Sequence, residues 1–230
     1  METNKKLELL TGIVDEFNLS VNDVVSYWVK SGRLNLDAAT VSSQVVSSRK
    51  YETPKSVLPG MYIYADGLIC PEIIEGRQVM AIVGSVDGSD VLAVCLHEAY
   101  LPWSNNYLEA EATQKMTGGK EASRKILEIS REKRQKAEAA QWCYDYAEDG
   151  VKQGEAFLPS VTELGKLFAN KAAINASLKA LGVYLLESSY WSSTEFSALS
   201  AWGVLFSSGE RWYTSKYTTL YVRPVLALKL

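Results

Sequence analysis

Two blocks of strand-type sequence enclose a long helical block, and that order narrows the fold more than any other feature of the chain. Between positions 60 and 103 the apolar residues come in short runs separated by turn dipeptides. Met61-Tyr62-Ile63-Tyr64 leads into Asp66-Gly67, and the runs 79–83 and 91–96 flank Asp87-Gly88. Asp-Gly supplies the positive φ that tight hairpin turns require. The runs are continuous instead of alternating, which predicts strands covered on both faces. Residues 105–150 read as helical, with Gly118-Gly119 in a loop. From about Lys120 to Glu148 a stripe of Ile126, Ile129, Ala137, Ala140, Cys143, Tyr144 and Ala147 keeps helical spacing, with a break near Arg134. Ser160 with Glu163 three residues on is a capping box that starts another helix. Leu164, Leu167 and Phe168 follow, then a run over 174–181 ending at Gly182. From Tyr190 short strands and polar loops return. Strands, helices, then strands again describe an α+β domain.

The first fifty residues have a different character. Leu7, Leu10, Val14 and Phe17 form one helical stripe. Ser20 caps a second, lined by Val21, Val24, Val25, Trp28 and Val29 and stopped at Gly32. Residues 33–56 are rich in Ser, Thr and small side chains, as a connection would be. We therefore read 1–50 as a helical appendage and linker, and 51–230 as the main domain. A helix-turn-helix can be drawn over 5–32, but it lacks the basic excess that phosphate contacts need. Docking or self-association through residues 1–50 is the favoured reading.

Composition removes several classes. The 230 residues are 47% hydrophobic, enough for a sizeable core, and the net charge of -3 leaves no footprint for nucleic acid. The basic residues of 120–136 are interleaved with Glu121, Glu128 and Glu132, the pattern of a solvated helix face. Cys70, Cys95 and Cys143 are too widely spaced for a zinc motif or a CxxC pair and read as buried thiols. With His97 the single histidine and no nucleophile elbow, a Ser-His-Asp triad is not expected; His97 reads as the end of a strand. No motif calls for a metal or a cofactor. No stretch is long and apolar enough for membrane insertion, and the amino terminus lacks the apolar core of a signal peptide. With Met1 as the native start, the expectation is a product made in the cytoplasm, staying there or reaching a virion or cell surface by a signal-independent route.

The carboxy-terminal forty residues combine two kinds of residue. In Trp202-Gly203-Val204-Leu205-Phe206, strand alternation places Trp202, Val204 and Phe206 on one face, expected to pack inward with Trp191. Gly209 permits a turn, after which the adjacent Trp212 and Tyr213 must face opposite ways. The polar remainder, Ser, Tyr, Trp and Thr, has the composition of antibody loops, where rigid aromatics give contact area and small polar groups adapt. Phe196, Leu199, Leu205, Arg211, Trp212, Tyr213 and Tyr217 are the candidate ligand contacts. Ser192-Ser193-Thr194 either hydrogen-bonds a ligand or caps backbone in a tight loop. Arg223, set among apolar neighbours, reads as a buried structural arginine, with Glu195 as its expected carboxylate.

Two groups of motifs carry a family likeness. One is Phe157-Leu158-Pro159-Ser160, Glu163-Leu164, Ala169-Asn170-Lys171, Ile174-Asn175, Leu178 and Leu181-Gly182. The other is Tyr190-Trp191-Ser192-Ser193-Thr194-Glu195, Ala201-Trp202, Phe206-Ser207-Ser208-Gly209, Lys216 and Val222-Arg223-Pro224-Val225. Together with Pro59-Gly60-Met61-Tyr62, Tyr64-Ala65-Asp66-Gly67 and Tyr100-Leu101-Pro102-Trp103-Ser104, they resemble the bacterial family that includes the Lcl adhesin C-terminal domain and the major paralogous domain proteins. The likeness covers about residues 57–230. It implies a C-type-lectin-like fold, in which a few helices support a small sheet and a long carboxy-terminal loop-and-strand region. Some members of that broad fold are adhesins; others are receptor-binding proteins diversified by a diversity-generating retroelement. The Glu-Pro-Asn or Gln-Pro-Asp loop and Trp-Asn-Asp strand of its calcium-dependent sugar binders are missing here. So is the late cysteine pair of its formylglycine-generating oxidases, since the last cysteine is Cys143.

The leading expectation is thus a non-enzymatic binding protein of bacterial or phage origin. Its partner would be a cell-surface protein or glycan, met by residues 190–221, with no nucleic acid and no membrane insertion. The alternatives are an assembly subunit using the aromatic terminus as an interface, and an enzyme pairing Asp66, Glu98 or Glu195 with His97.

Overall fold

The computed structural model describes residues 5, 9–10, 12–13, 21–33 and 51–230. The chain divides into two compact units, Met1–Glu52 with Ile74–Gly76, and Thr53–Ile73 with Arg77–Leu230.

In the first unit the described helix is α1 (Val21–Lys30), followed by Gly32 at φ 69°, the left-handed stop expected there. Val25 is fully buried and Tyr27 exposed, while Val24, Trp28 and Val29, expected on the buried side, are half-buried. The expected stripe residues Leu7, Val14 and Phe17, the Ser20 cap and the connection over 34–50 lie outside the described residues.

The second unit is α+β and holds two five-stranded sheets. Strands β1 (Tyr62–Tyr64), β2 (Ile69–Cys70), β3 (Val79–Asp87), β4 (Asp90–Cys95) and β10 (Val225–Lys229) form the first, in the order β10-β4-β3-β1-β2. Strands β5 (Ala99–Pro102), β6 (Ser189–Ser197), β7 (Ser200–Leu205), β8 (Glu210–Ser215) and β9 (Thr219–Val222) form the second, in the order β5-β9-β6-β7-β8. The described pairings are antiparallel apart from β6 with β9, which run parallel through Tyr190 and Tyr221. Both expected hairpin turns are present, with Gly67 at φ 88° and Gly88 at φ 61°. As the continuous apolar runs required, β3 and β4 are buried almost throughout.

Between the sheet blocks lie α2 (Gly119–Lys133), α3 (Glu138–Asp145), α4 (Val161–Ala169) and α5 (Lys171–Ala180). The break expected near Arg134 is that residue itself, at φ 52°. Two expectations fail. Residues 105–118 are not helical beyond a single 3₁₀ turn, Glu111–Thr113, because side chains take the backbone N–H groups: Ser104 accepts from Asn106 and Leu108, and Glu195 from Ala110. Gly119 is not in a loop but opens α2. A β-carbon there would stand 2.4 Å from the Glu163 carboxylate and 2.6 Å from the Ser160 backbone nitrogen, so the missing side chain lets α2 and α4 start against each other. The Ser160–Glu163 capping box forms, and Glu163 also accepts from the Gly119 N–H at 2.9 Å.

Two apolar cores form among the described residues. One packs the first sheet, through Ile63, Val83, Ala93, Cys95 and Leu226, against Tyr146, Val151 and Ala156. The other packs the second sheet, through Trp191, Ala201, Leu220 and Val222, against Trp103, Ile126, Leu127 and Cys143. Trp142 touches both. All three cysteines are free and buried, as expected, and burial pushes the Cys95 and Cys143 thiols well above the usual range.

The chain crosses between sheets twice, at Leu96-His97-Glu98 and at Arg223-Pro224, and Arg223 locks the two crossings together. Its guanidinium donates to the carbonyls of Cys95 and Leu96 at 3.1 and 2.8 Å, to Tyr184 at 2.7 Å and to the Glu98 carboxylate at 2.7 Å. Arg223 is therefore the buried structural arginine expected. Its carboxylate is Glu98 and not Glu195, because the crossing sets β4 beside β10 and brings residue 98 to it.

Candidate aromatic recognition face

The second sheet presents two faces of unlike character. Cross-strand pairing sets Trp202 opposite Tyr213, and Gly203 opposite Trp212. Alternation then puts Ala201, Gly203 and Trp212 on the core side, and Trp202, Val204, Arg211 and Tyr213 on the other. Helix α4 covers the Val204 and Phe206 end of that second face, with Phe168 edge-on to Phe206 at 5.8 Å. Beyond the helix three rings remain together at the surface. Phe196 and Tyr213 stack at 3.6 Å with planes 12° apart, and Trp202 meets each edge-on, at 5.1 and 5.5 Å. Tyr213 is 51% exposed and Phe196 39%.

The inward assignment of Trp202 is thus corrected. Trp191 and Phe206 are fully buried, but Trp202 is only partly covered and is the third ring of the surface cluster. Two-residue periodicity separates the faces of a strand without saying which is core. The core face is the one that carries Gly203, where the Trp212 indole lies 3.7 Å from the place of a β-carbon. Trp212 packs on the core with its indole N–H buried and without a hydrogen-bond partner. The adjacent pair does face opposite ways, with Tyr213 the outward one.

The remaining candidates fall in separate places. Leu199, 58% exposed, sits in the β6–β7 turn, and Tyr217, 45% exposed, in the β8–β9 turn with Tyr107 edge-on to it at 4.1 Å. The two turns are joined where the Lys216 N–H donates to the Leu199 carbonyl at 3.0 Å. Arg211 lies at the other end of the face, its guanidinium over Gly165 of α4. Leu205 is half-buried at the end of β7. The structure therefore gathers Phe196 and Tyr213 with Trp202, and Leu199 with Tyr217 and Tyr107. It does not bring Arg211, Leu205 or Trp212 into that cluster.

Beneath the tip is a buried ion pair. Lys216 and Glu195 are both completely covered, with Nζ 2.5 Å from Oε1. An ammonium has three N–H groups, and the other two go to the carbonyls of Leu108 at 2.7 Å and Ala198 at 2.9 Å. The Trp103 ring lies 4.7 Å from the same nitrogen. Glu195 also accepts from the Ala110 N–H at 2.7 Å and from Gln114 at 3.0 Å. Taking two charges out of water costs several kcal/mol each, about as much as their attraction returns, so full hydrogen bonding decides the balance. Burial lowers the Lys216 ammonium from its ordinary range, and Glu195 pulls it back up. The pair ties together the 104–118 loop and the β6–β7 and β8–β9 turns, which carry Tyr107, Leu199 and Tyr217. Lys216, Tyr107 and Trp202 were not read as site residues. A Lys within Tyr-Thr-Ser-Lys-Tyr-Thr-Thr looks solvated, and only the non-local loop packing buries it.

Two of the three residues in Ser192-Ser193-Thr194 bond backbone, while the Ser193 hydroxyl is buried without a hydrogen-bond partner. Ser192 donates to the Trp202 carbonyl at 2.7 Å, and Thr194 accepts from the Val161 N–H at the start of α4 at 3.1 Å. Of the carboxylates proposed to work with His97, Glu98 is held by Arg223 and the Tyr190 hydroxyl, Glu195 by Lys216, and Asp66 pairs with Arg77. His97 instead faces Glu148 and Asp149.

A second concavity lies apart from the aromatic face. A cleft of about 600 Å³ runs along α2 and is lined by Lys120, Arg124, Arg131, Leu127, Tyr144 and Phe157. Among the described residues no helix is long and apolar enough to cross a membrane.

No protein-family model matches this sequence, and no curated protein matches it. Among solved structures the chain is similar in fold to a fimbrial protein from Bacteroides ovatus. The TM-score is 0.61 at 16% identity, and the match covers 75% of this chain and 49% of that one. The chain thus spans about half the length of that protein.

Proposed function

We propose that this protein is a non-enzymatic recognition module that meets a cell-surface protein or glycan through the aromatic face of its second sheet. The observation that carries the reading is the Phe196–Trp202–Tyr213 cluster: large rings, close enough to hold one another rigid, left in solvent. Aromatics of this kind supply contact area at low entropic cost and are enriched among interface hot spots. Exposed apolar patches mark such surfaces. Leu199, Tyr217 and Tyr107 extend the contact at the tip, and the Glu195–Lys216 anchor holds their turns in place before binding. We further propose that the scaffold is C-type-lectin-like, on the strength of the ordered motifs over 57–230, and that positions such as 196, 199 and 213 vary among close relatives. The fold likeness to a fimbrial protein is compatible with a place on a cell surface.

Purified protein and a Phe196→Ala/Tyr213→Ala variant on an array of bacterial surface glycans and cell-envelope proteins test this. Binding by the wild type and its loss in the folded variant is the expected result. Equal binding by both would move the site elsewhere.

A second reading has its own observation. β8 is the edge strand of its sheet and carries Tyr213, so the same face suits a permanent contact between subunits. Light scattering over a range of concentrations separates the readings. A stable oligomer that dissociates on Tyr213→Ala favours assembly; a monomer at all concentrations favours ligand binding.

A further inference from the structure

The crossing between the sheets holds a second group of side chains, remote in character from the aromatic face. His97 projects Nε2 toward two carboxylates that follow each other in the loop after α3. It lies 3.1 Å from Asp149 Oδ2 and 3.4 Å from Glu148 Oε2. One nitrogen and two oxygens, all within 4.8 Å of one another, thus converge from two separate segments. Ligands about 2.1 Å from a tetrahedral cation stand about 3.4 Å apart. The two distances measured from Nε2 match that edge.

The charges also call for a cation. Glu148 and Asp149 are neighbours in sequence and both present a carboxylate oxygen to the same imidazole, so two negative charges gather where a cation is attracted. Among the described residues His97 is the ion-pair partner of either, and no Lys or Arg pairs with them. A neutral imidazole offers them one N–H and no charge. The donors are held from behind as well. The Tyr146 hydroxyl donates to Asp149 Oδ2 at 3.3 Å and sits against the His97 backbone N–H, and Asp149 takes a left-handed φ of 55°. Support of this kind orients metal ligands.

We infer that His97, Glu148 and Asp149 form a binding site for a divalent transition cation of the zinc class. A nitrogen with two carboxylate oxygens suits such an ion, whereas calcium prefers an all-oxygen shell of six to eight ligands. The ion ties the first sheet crossing to the loop after α3, and three protein ligands leave a four-coordinate ion one position for water.

One property of the chain makes the test direct. His97 is its single histidine, and the three thiols are buried. Untagged protein, stripped of metal with a chelator, is titrated with Zn²⁺ near neutral pH by calorimetry and by NMR of its one imidazole. The expected result is one saturable equivalent that shifts the His97 resonances. Affinity falls more than about tenfold in both His97→Ala and Asp149→Asn, which keep the wild-type circular dichroism. Heat of binding retained in His97→Ala would overturn the assignment. So would an imidazole resonance that ignores Zn²⁺ and responds to pH alone, because the site would then be an imidazolium–carboxylate pair.

Discussion

Lys216 shows how much one residue can decide. Its three N–H groups are each satisfied, and its partner Glu195 is satisfied on both oxygens. Removing the cation leaves a carboxylate in the interior with no counter-charge. Lys216→Met is therefore expected to lose about 3–5 kcal/mol in urea unfolding. Adding Glu195→Gln removes the stranded charge and recovers part of that loss; a double variant worse than the single would show that the pair is not the unit described. Glu163 gives a pH signature. Burial raises its carboxyl above the ordinary value of 4.5, against the pull of the Ser160 and Gly119 N–H groups. The folded state then holds this proton to higher pH than the unfolded state does. The contribution is fully present below about pH 4.5 and is lost as pH rises through the folded value. Relative to Glu163→Gln, the wild type should lose thermal stability as pH rises from 4.5; a gap that stays constant over that rise would contradict it. The capping box was legible because it is local, three residues apart. The Glu195–Lys216 and Glu98–Arg223 pairings were not, because each depends on which loops and strands the fold brings together.

At the scale of elements, periodicity marked strands and helices well where the pattern was long, as in β3, β4 and α2. It failed over 105–118, which reads as part of the helical block although the apolar stripe starts only near Lys120, and where backbone N–H groups are taken by Glu195 and Ser104. It also left the facing of β7 open. Alternation fixed that Trp202 and Gly203 point opposite ways, while the choice of core face rested on Trp212 filling the space over Gly203. The β7–β8 turn is a place where backbone and packing make the same demand. Gly209 has φ 79°, and a β-carbon would fall 2.3 Å from the Phe168 ring. Gly209→Ala should therefore cost at least about 1–3 kcal/mol, read as a fall in melting temperature. An unchanged melting point would mean that α4 and the turn are less tightly joined than described.

At the scale of the whole molecule, balanced composition conceals a division of surfaces. The interleaved charges of 120–136 sort themselves on folding: Lys125 pairs with Glu128 and Lys133 with Glu109, while Lys120, Arg124 and Arg131 line the cleft. The sequence showed only the balance. Burial of all three thiols predicts that the native protein resists a thiol reagent and reacts fully once unfolded; rapid native reaction at Cys95 or Cys143 would contradict the two cores. The central claim concerns the aromatic face, and competing surfaces exist, the cleft above all. The most direct measurement is the affinity of the wild type for its strongest array target, set beside Phe196→Ala/Tyr213→Ala and Lys120→Ala/Arg124→Ala at matched stability. The account predicts a loss of about 30-fold or more for the aromatic pair, the scale of an interface hot spot, and little change for the basic pair. The reverse order, with the aromatic variant binding as tightly as the wild type, would contradict it.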